Sequence, residues 1–408
     1  MMQEEAHRVE RLRRTSLDAL LVYTFFMVLG FAMLMPLVSV HFVSNVGLAA
    51  TVVGAALALR QLTQQGLAVI GGVLADRFGA RPMICLGVLL RAAGFASLAF
   101  AGDATWLFVA LAVAAIGGAL FEAPYQAAIA SLTNEAARTR YYAASNWVIG
   151  LASALGPLVG VALLRWDFRL VCLVAAGCFA FNFIVTLLLP SVGHKPSARP
   201  AAGRVKLVAR DRHFLAFTVI MMGYWFTDVQ MYISFPLQAE RLTGSKYSVG
   251  IMLAVGATLT VLLQYGLVRL LGRWLAPKHI LIAGMSLMAT ATSVVGLAKH
   301  FNVFLCCVAV ISIGAVMVRP TLQTMIAEMA NPNAMGTFLG VSSLSLAVGG
   351  AVGNMAGGWL IDLSRATQTP HLPWIIYGLV GLLSALGVGL LTHRRRRPAA
   401  SACDYQSA

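Results

Sequence analysis

Gly72-Val-Leu-Ala-Asp76-Arg77-Phe-Gly79-Ala-Arg81-Pro82 is a short polar stretch set between two long apolar runs, at about 51–71 and 83–101. An interruption this brief reads as a tight turn at a membrane surface. Gly79 supplies the backbone freedom for the reversal, and Pro82 falls where a first helical turn tolerates it. Arg77 and Arg81 hold the turn on the cytoplasmic side. Asp76 is left as the one acidic residue of the turn, and a simple reversal of the chain does not require it.

The rest of the composition agrees with a membrane setting. Of the 408 residues, 59% are hydrophobic and 11% charged, and the mean hydropathy is +0.80. These values lie far from those of a soluble domain and specify a polytopic membrane protein. The net charge of +15 does not mark a nucleic-acid binder, because the cations lie in the short connections between apolar runs. Cys85, Cys172, Cys178, Cys306 and Cys307 fall inside or against apolar segments and Cys403 lies in the tail, so no structural disulfide is expected.

Twelve apolar runs follow one another, and they are called spans 1 to 12 below. The first six lie at about 17–40, 51–71, 83–101, 106–132, 142–164 and 170–190; the second six lie at about 214–238, 248–270, 279–298, 303–327, 336–360 and 373–392. Between the two sets, Ser191 to His213 carries Pro196, Pro200, Gly203 and six cations, and reads as a cytoplasmic linker. The expected organisation is therefore an all-α membrane protein of two six-helix bundles, 1–190 and 214–408, joined by 191–213. Lys and Arg resist translocation, and with both termini inside they concentrate in the inner segments: the first fourteen residues, the turn at Arg77 and Arg81, Arg138 and Arg140, the linker, Arg269 to Lys278, and Arg394 to Arg397. The outer segments hold only Arg165, Arg169, Arg241, Lys246, Lys299 and Arg365.

Landmarks recur between the two sets. Gly71 and Pro82 return as Gly266 and Pro277, although Leu271 replaces the acidic position; Gly118 and Pro124 return as Gly314 and Pro320; Pro36-Leu37 returns as Pro236-Leu237. Duplication of a six-helix unit is the pattern of transporters that rock two bundles about a central site.

Written G-x-L-A-D-R-x-G-x-R-P, the opening stretch resembles motif A of the major facilitator superfamily, the loop between its helices 2 and 3. In span 5, Gly150 followed by Gly156-Pro157 and Gly160 is similar to motif C, which is associated with exporters of the antiporter type. The resemblance covers essentially the whole chain, and the twelve-helix drug:proton antiporters fit best. Leu29-Gly30-Phe31, Leu59-Arg60-Gln61 with Gln64-Gln65-Gly66, Arg91-Ala-Ala-Gly94-Phe95 and Asp167-Phe168-Arg169 support it. One departure is that span 4 lacks the arginine of motif B. The resemblance implies proton-coupled efflux of amphipathic compounds through a bacterial inner membrane by a functional monomer, driven by the proton gradient without a cofactor. It also implies that Asp76 latches one conformation against the start of helix 11, that helices 1, 4, 7 and 10 line the cavity, and that span 3 is peripheral. Arg91 is accordingly read as a structural residue.

Charges inside the apolar runs are the best functional pointers, because each costs a few kcal/mol to insert. Glu122 lies in span 4 with Tyr125 and Gln126 one turn on, over the same helical face; Asp228 lies in span 7 among Tyr224, Trp225 and Tyr232. Aromatic rings beside a carboxylate suit a lipophilic cation. Arg60 and Gln64 in span 2, and Arg319 and Gln323 in span 10, complete the expected cavity. Glu122 and Asp228 are candidate proton carriers; the competing assignment is that they only neutralise Arg60 or Arg319.

Other classes lack support in the sequence. The eight histidines sit at span ends or in loops, no metal-binding spacing occurs, and no P-loop is present. An enzyme is thus not expected, nor a metal or nucleic-acid partner. Within transport, a metabolite importer or symporter is the alternative, and a transport-inactive membrane scaffold is the alternative outside it.

Overall fold

The computed structural model describes residues 2–133, 135–188, 207–264, 266–331 and 335–394. All regular structure among them is helical. Spans 1 to 6 are Met2–Val40, Ala50–Phe78, Ala80–Leu98, Ala104–Leu132, Glu135–Leu164 and Phe168–Leu187. Span 7 is Arg212–Asp228 followed by Ser234–Thr243, and span 8 is Tyr247–Leu263 followed by Gly266–Leu271. Spans 9 to 12 are Pro277–Val295, Phe301–Met329, Met335–Ala366 and Leu372–Arg394. Among the described residues ten helical stretches are long and apolar enough to cross a membrane, and span 2 with the shorter Tyr247–Leu263 completes the twelve.

Several helices run past the apolar stretches that announced them. Span 5 begins at Glu135 rather than near 142, and span 11 continues to Ala366 rather than 360. Hydropathy measures the length in hydrocarbon, whereas backbone hydrogen bonding continues into the polar surface layer. The helix starts follow from local chemistry. Asp103, Asp167 and Asp211 each cap their own helix, accepting from the N–H of Trp106 at 2.7 Å, Arg169 at 3.1 Å and Phe214 at 2.9 Å. The turn between spans 2 and 3 is made by Gly79 alone, at φ +92°. An L side chain rarely adopts that angle, so the glycine is required there.

Span 7, read as one run, is broken. A 3-10 turn at Val229–Tyr232 follows directly on Asp228. Gln230 compensates inside the protein: its amide donates to the carbonyls of Phe226 at 2.9 Å and Gly353 at 2.8 Å, and its oxygen accepts from Ser234 at 2.7 Å. A broken helix at membrane depth is tolerated where such groups are satisfied by protein.

The internal repeat is visible in packing. Spans 3 and 4 approach so closely that a Cβ on Gly87 would sit 2.7 Å from the Gly117 carbonyl oxygen; in the second half, a Cβ on Gly284 would sit 3.0 Å from that of Gly314. Small residues at equivalent places let equivalent helix pairs meet.

Counting spans places the start of span 1 and the end of span 12 at one end of the molecule, called the near end; the opposite, far end carries residues 41–50, 164–168, 243–247 and 366–372. The two halves meet where span 2 packs along span 11 and span 5 along span 8. They are tied at the far end. Ser44 donates to the Glu240 carboxylate and Lys246 to the Asn45 side-chain oxygen, and deeper in the molecule Ser39 donates to the Tyr232 carbonyl. Arg165 lies 5.6 Å above the Tyr247 ring. Of the expected linker, 207–213 is described; Lys195, Arg199, Arg204 and Lys206 lie outside the described residues, as do Arg395 to Arg397 and Cys403.

Candidate functional site: a two-sided cavity

A cavity of about 560 Å³ lies between the halves. It extends from Pro36 and Tyr232 at mid-depth toward Gln126, Asn146 and Gln264, which lie closer to the near end. Of the expected residues, Glu122, Asp228, Gln64, Tyr125, Gln126, Tyr232 and Arg319 line it, together with Gly150 and Pro157 of span 5.

The first-half wall is built around Gln64. Its side-chain amide donates to the Glu122 carboxylate at 3.2 Å, while its oxygen accepts from Arg60 at 3.2 Å and from Arg91. Glu122 is solvent-facing and belongs to span 4. Tyr125, one turn on, is held rather than mobile: it is 4% exposed, stacks on Tyr23 at 5.0 Å, and bonds its hydroxyl to those of Thr24 and Tyr141. Gln126 accepts from Tyr142 at 3.3 Å.

The second-half wall is built around an ion pair. Asp228, 7% exposed, lies 3.4 Å from Arg319 and accepts a 3.4 Å bond from the Tyr224 hydroxyl. The Arg319 side chain is 60% exposed, so its outer part faces the open cavity. Tyr232 presents its ring edge to Phe31, 6.3 Å between centroids.

Four expected residues stand off the lining. Arg60 is 7% exposed and lies behind Gln64, with its guanidinium 5.4 Å over the Phe31 ring and a bond to Gln61 at 3.0 Å. Tyr224 is 2% exposed, covered by the Asp228–Arg319 pair it supports. Trp225 packs edge-on against Tyr224 at 4.9 Å and is not among the residues that line the cavity. Gln323 is exposed and lies past the lining residues of span 10. The helical wheel fixes a direction within about a quarter turn, and neighbouring side chains then decide which group reaches the cavity.

Arg91 corrects the expectation for span 3. It is 4% exposed and still reaches the cavity wall. Gly118 opens the path, since a Cβ there would collide with the guanidinium. Phe121 at 5.2 Å, Phe179 at 5.6 Å, Phe31 at 5.7 Å and Phe95 at 6.0 Å surround the cation, and the Ala114 carbonyl accepts from its Nε at 3.2 Å. A charge inside a span and a paired glycine on span 4 were the available signals. Asn146, Ser153, Thr260, Gln264 and Ser312 also line the cavity without a signal of their own in the sequence.

The motif residues lie at the helix contacts. Gly156 and Gly160 sit against Ala32 and Met33 of span 1, where a Cβ would meet backbone. Gly72 faces Ala123 of span 4. Arg77 lies 5.4 Å over the Phe78 ring, and Arg81 donates to the Leu187 carbonyl at the end of span 6. The side chain of Asp76 lies outside the described residues.

The sequence profile of the Major Facilitator Superfamily matches residues 20–341 and 231–404. A protein of Photorhabdus laumondii named multidrug resistance protein MdtH is 38% identical over 88% of this chain and 89% of its own length. Its namesake in Citrobacter koseri is 35% identical over 96% and 98%. Among solved structures, a POT family transporter in complex with 5-aminolevulinic acid superposes with a TM-score of 0.80 at 14% identity, over 93% of this chain and 96% of that one. The nucleoside transporter NupG superposes with a TM-score of 0.75 at 10% identity, over 92% and 99%. These structures share the fold.

Proposed function

The chain belongs to the Major Facilitator Superfamily, and from that premise we propose that it exports amphipathic drugs or similar lipophilic compounds in exchange for protons. It is a multi-pass membrane transporter of small molecules and not an enzyme. The names of the relatives at 34–38% identity favour drugs as the cargo. The observation that carries the proton-coupled reading is a single cavity holding one exposed carboxylate, Glu122, and one ion-paired carboxylate, Asp228, among aromatic and methionine side chains.

In this reading 1–190 and 214–408 are the two rocking bundles, and the inward excess of Lys and Arg puts the near end, both termini and the 191–213 linker in the cytoplasm of a bacterial inner membrane. The cavity then faces inward, where cargo is collected. Proton and cationic cargo compete for the Glu122 carboxylate. Pro124, two residues on, frees a backbone carbonyl and permits a bend that changes the exposure of Glu122 between states. Asp228 is the second candidate carrier: protonation would release Arg319 to meet an anionic or polar part of the cargo. Gln64 carries the influence of Arg60 and Arg91 to Glu122 without a direct ion pair. Asp76 is the near-end latch that the motif resemblance implies. The proton gradient supplies the energy, no cofactor takes part, and the monomer is the working unit.

Drug accumulation in an efflux-deficient host tests the reading. Cells expressing the chain should accumulate less of a fluorescent lipophilic cation, and an uncoupler should abolish the difference. Greater accumulation would favour an importer, and no change would favour an inactive scaffold.

A further inference from the structure

The first turn of span 2 has no cap of its own. Ala49 occupies the capping position and has no group to offer, so the N–H groups of that turn would go unpaired. The cap comes from the other half of the molecule. Asp362, in the last turns of span 11, accepts from the Ala50 N–H at 3.1 Å, the Thr51 N–H at 2.7 Å and the Thr51 hydroxyl at 2.7 Å. Asp103, Asp167 and Asp211 do the same chemistry within their own helices; Asp362 does it across the seam between the halves.

We propose that Asp362 is the far-end latch of this transporter, a carboxylate that caps span 2 only while that end is shut and whose charge sets how often that end opens. The proposal rests on the reading that the two halves rock about the cavity. Four observations support it. Charge and geometry agree, because a helix N-terminus carries partial positive charge and unpaired N–H donors. The seam is closed at backbone level: Gly358 lies against the Ala50 carbonyl and Gly54 against that of Asn354, so the capped turn is lost if the helices part. Arg365, 57% exposed and 4.0 Å from Asp362, stands one turn away as a replacement partner once the seam opens. The pattern that ends in Asp362, Gly357-Gly-Trp-Leu-Ile-Asp362, also ends span 2 at its opposite end as Gly71-Gly-Val-Leu-Ala-Asp76. Spans 2 and 11 are antiparallel neighbours, so the same G-G-x-L-x-D sequence places one carboxylate at each end of the pair. At the far end it meets the partner helix's first turn.

The test uses the full purified chain in a cysteine-free background, with spin labels at Ala49 and Ala366 for the far end and, in a second sample, at Phe78 and Leu270 for the near end. Asp362→Asn keeps the size and removes the charge. The population with a lengthened far-end distance should rise about two- to fivefold, the typical weight of a carboxylate at a helix terminus. Thr51→Val removes one bond of the cap and leaves the carboxylate in place, and it should give a smaller rise in the same direction; it serves also if Asp362→Asn folds poorly. Unchanged far-end distances in well-folded Asp362→Asn and Thr51→Val would overturn the latch. If the wild type itself shows anticorrelated far-end and near-end distances as pH is varied, the rocking reading stands whichever way the variants behave. A far end that opens in Asp362→Asn with no shortening at the near end would keep the latch and remove the rocking.

Discussion

Gln64 donates a 3.2 Å hydrogen bond to Glu122 while its own oxygen takes bonds from Arg60 and Arg91. The carboxylate is thus linked to two buried cations without touching either. This follows from placing Gln64 one turn beyond Arg60 on span 2, facing both span 3 and span 4.

Gln64→Leu should therefore act on stability first. It leaves two buried guanidinium groups short of an acceptor, at about 1–3 kcal/mol for each unmet group. Thermal unfolding in detergent should fall by several degrees, and Gln64→Glu, which keeps an acceptor for both cations, should recover it. A Gln64→Leu protein as stable as the wild type would remove the amide from this role.

The Asp228–Arg319 pair gives a second expectation. Arg319 is largely exposed, so the loss on removing Asp228 should be about 1–2 kcal/mol rather than the larger penalty of a fully buried pair. Asp228→Asn and Arg319→Gln should each lower the unfolding temperature, and the double variant should be closer to wild type than the sum of the two. All three should lose export in a drug-accumulation assay. An active double variant would show the pair to be structural only.

Far more of the fold than of the site was legible in the sequence. Twelve apolar runs, a charge bias and a repeat of Gly and Pro landmarks fix the span order, because a bilayer imposes length and polarity directly on the chain. The cavity depends on contacts between spans far apart in sequence. Glu122, Asp228 and Arg319 are legible because a charge in hydrocarbon announces itself. Proximity to Asp228 on the helix also points to Tyr224 and Trp225, but Tyr224 is buried beneath the ion pair and Trp225 packs against Tyr224, so neither lines the cavity. The position of Arg91 in span 3 points to a structural residue away from the cavity; it is buried and bonded to Gln64 and the Ala114 carbonyl, yet Gly118 lets its long side chain cross to the cavity wall. The cap given by Asp362 to span 2 joins residues more than three hundred positions apart, and only the folded chain shows it.

Packing at the motif C helix gives a third expectation. Gly160 rests against the Met33 backbone, so Gly160→Ala forces span 5 away from span 1. Overpacking of this kind costs about 1–3 kcal/mol. The variant should reach the membrane in reduced amount and export more slowly; size-exclusion profiles and drug accumulation at matched expression check this. Wild-type behaviour in both would show that the seam relaxes freely.

Orientation can be checked with single cysteines. A cysteine at Ser197, in the basic linker, should react with an impermeant maleimide only after the cytoplasmic face is opened, whereas one at Thr367, in the far-end connection, should react in intact spheroplasts. The opposite labelling would invert the whole assignment and turn the cavity outward.

The central claim is that the Glu122 carboxylate takes up and releases the exchanged proton, and it is tested most directly in vesicles containing the purified chain and a pH-sensitive dye. Glu122→Gln keeps the shape and the contact with Gln64 but cannot ionise. Addition of drug should release protons from wild-type vesicles and should release none from Glu122→Gln vesicles, although that variant folds. Full drug-dependent proton release from Glu122→Gln would contradict the account and move the role to Asp228.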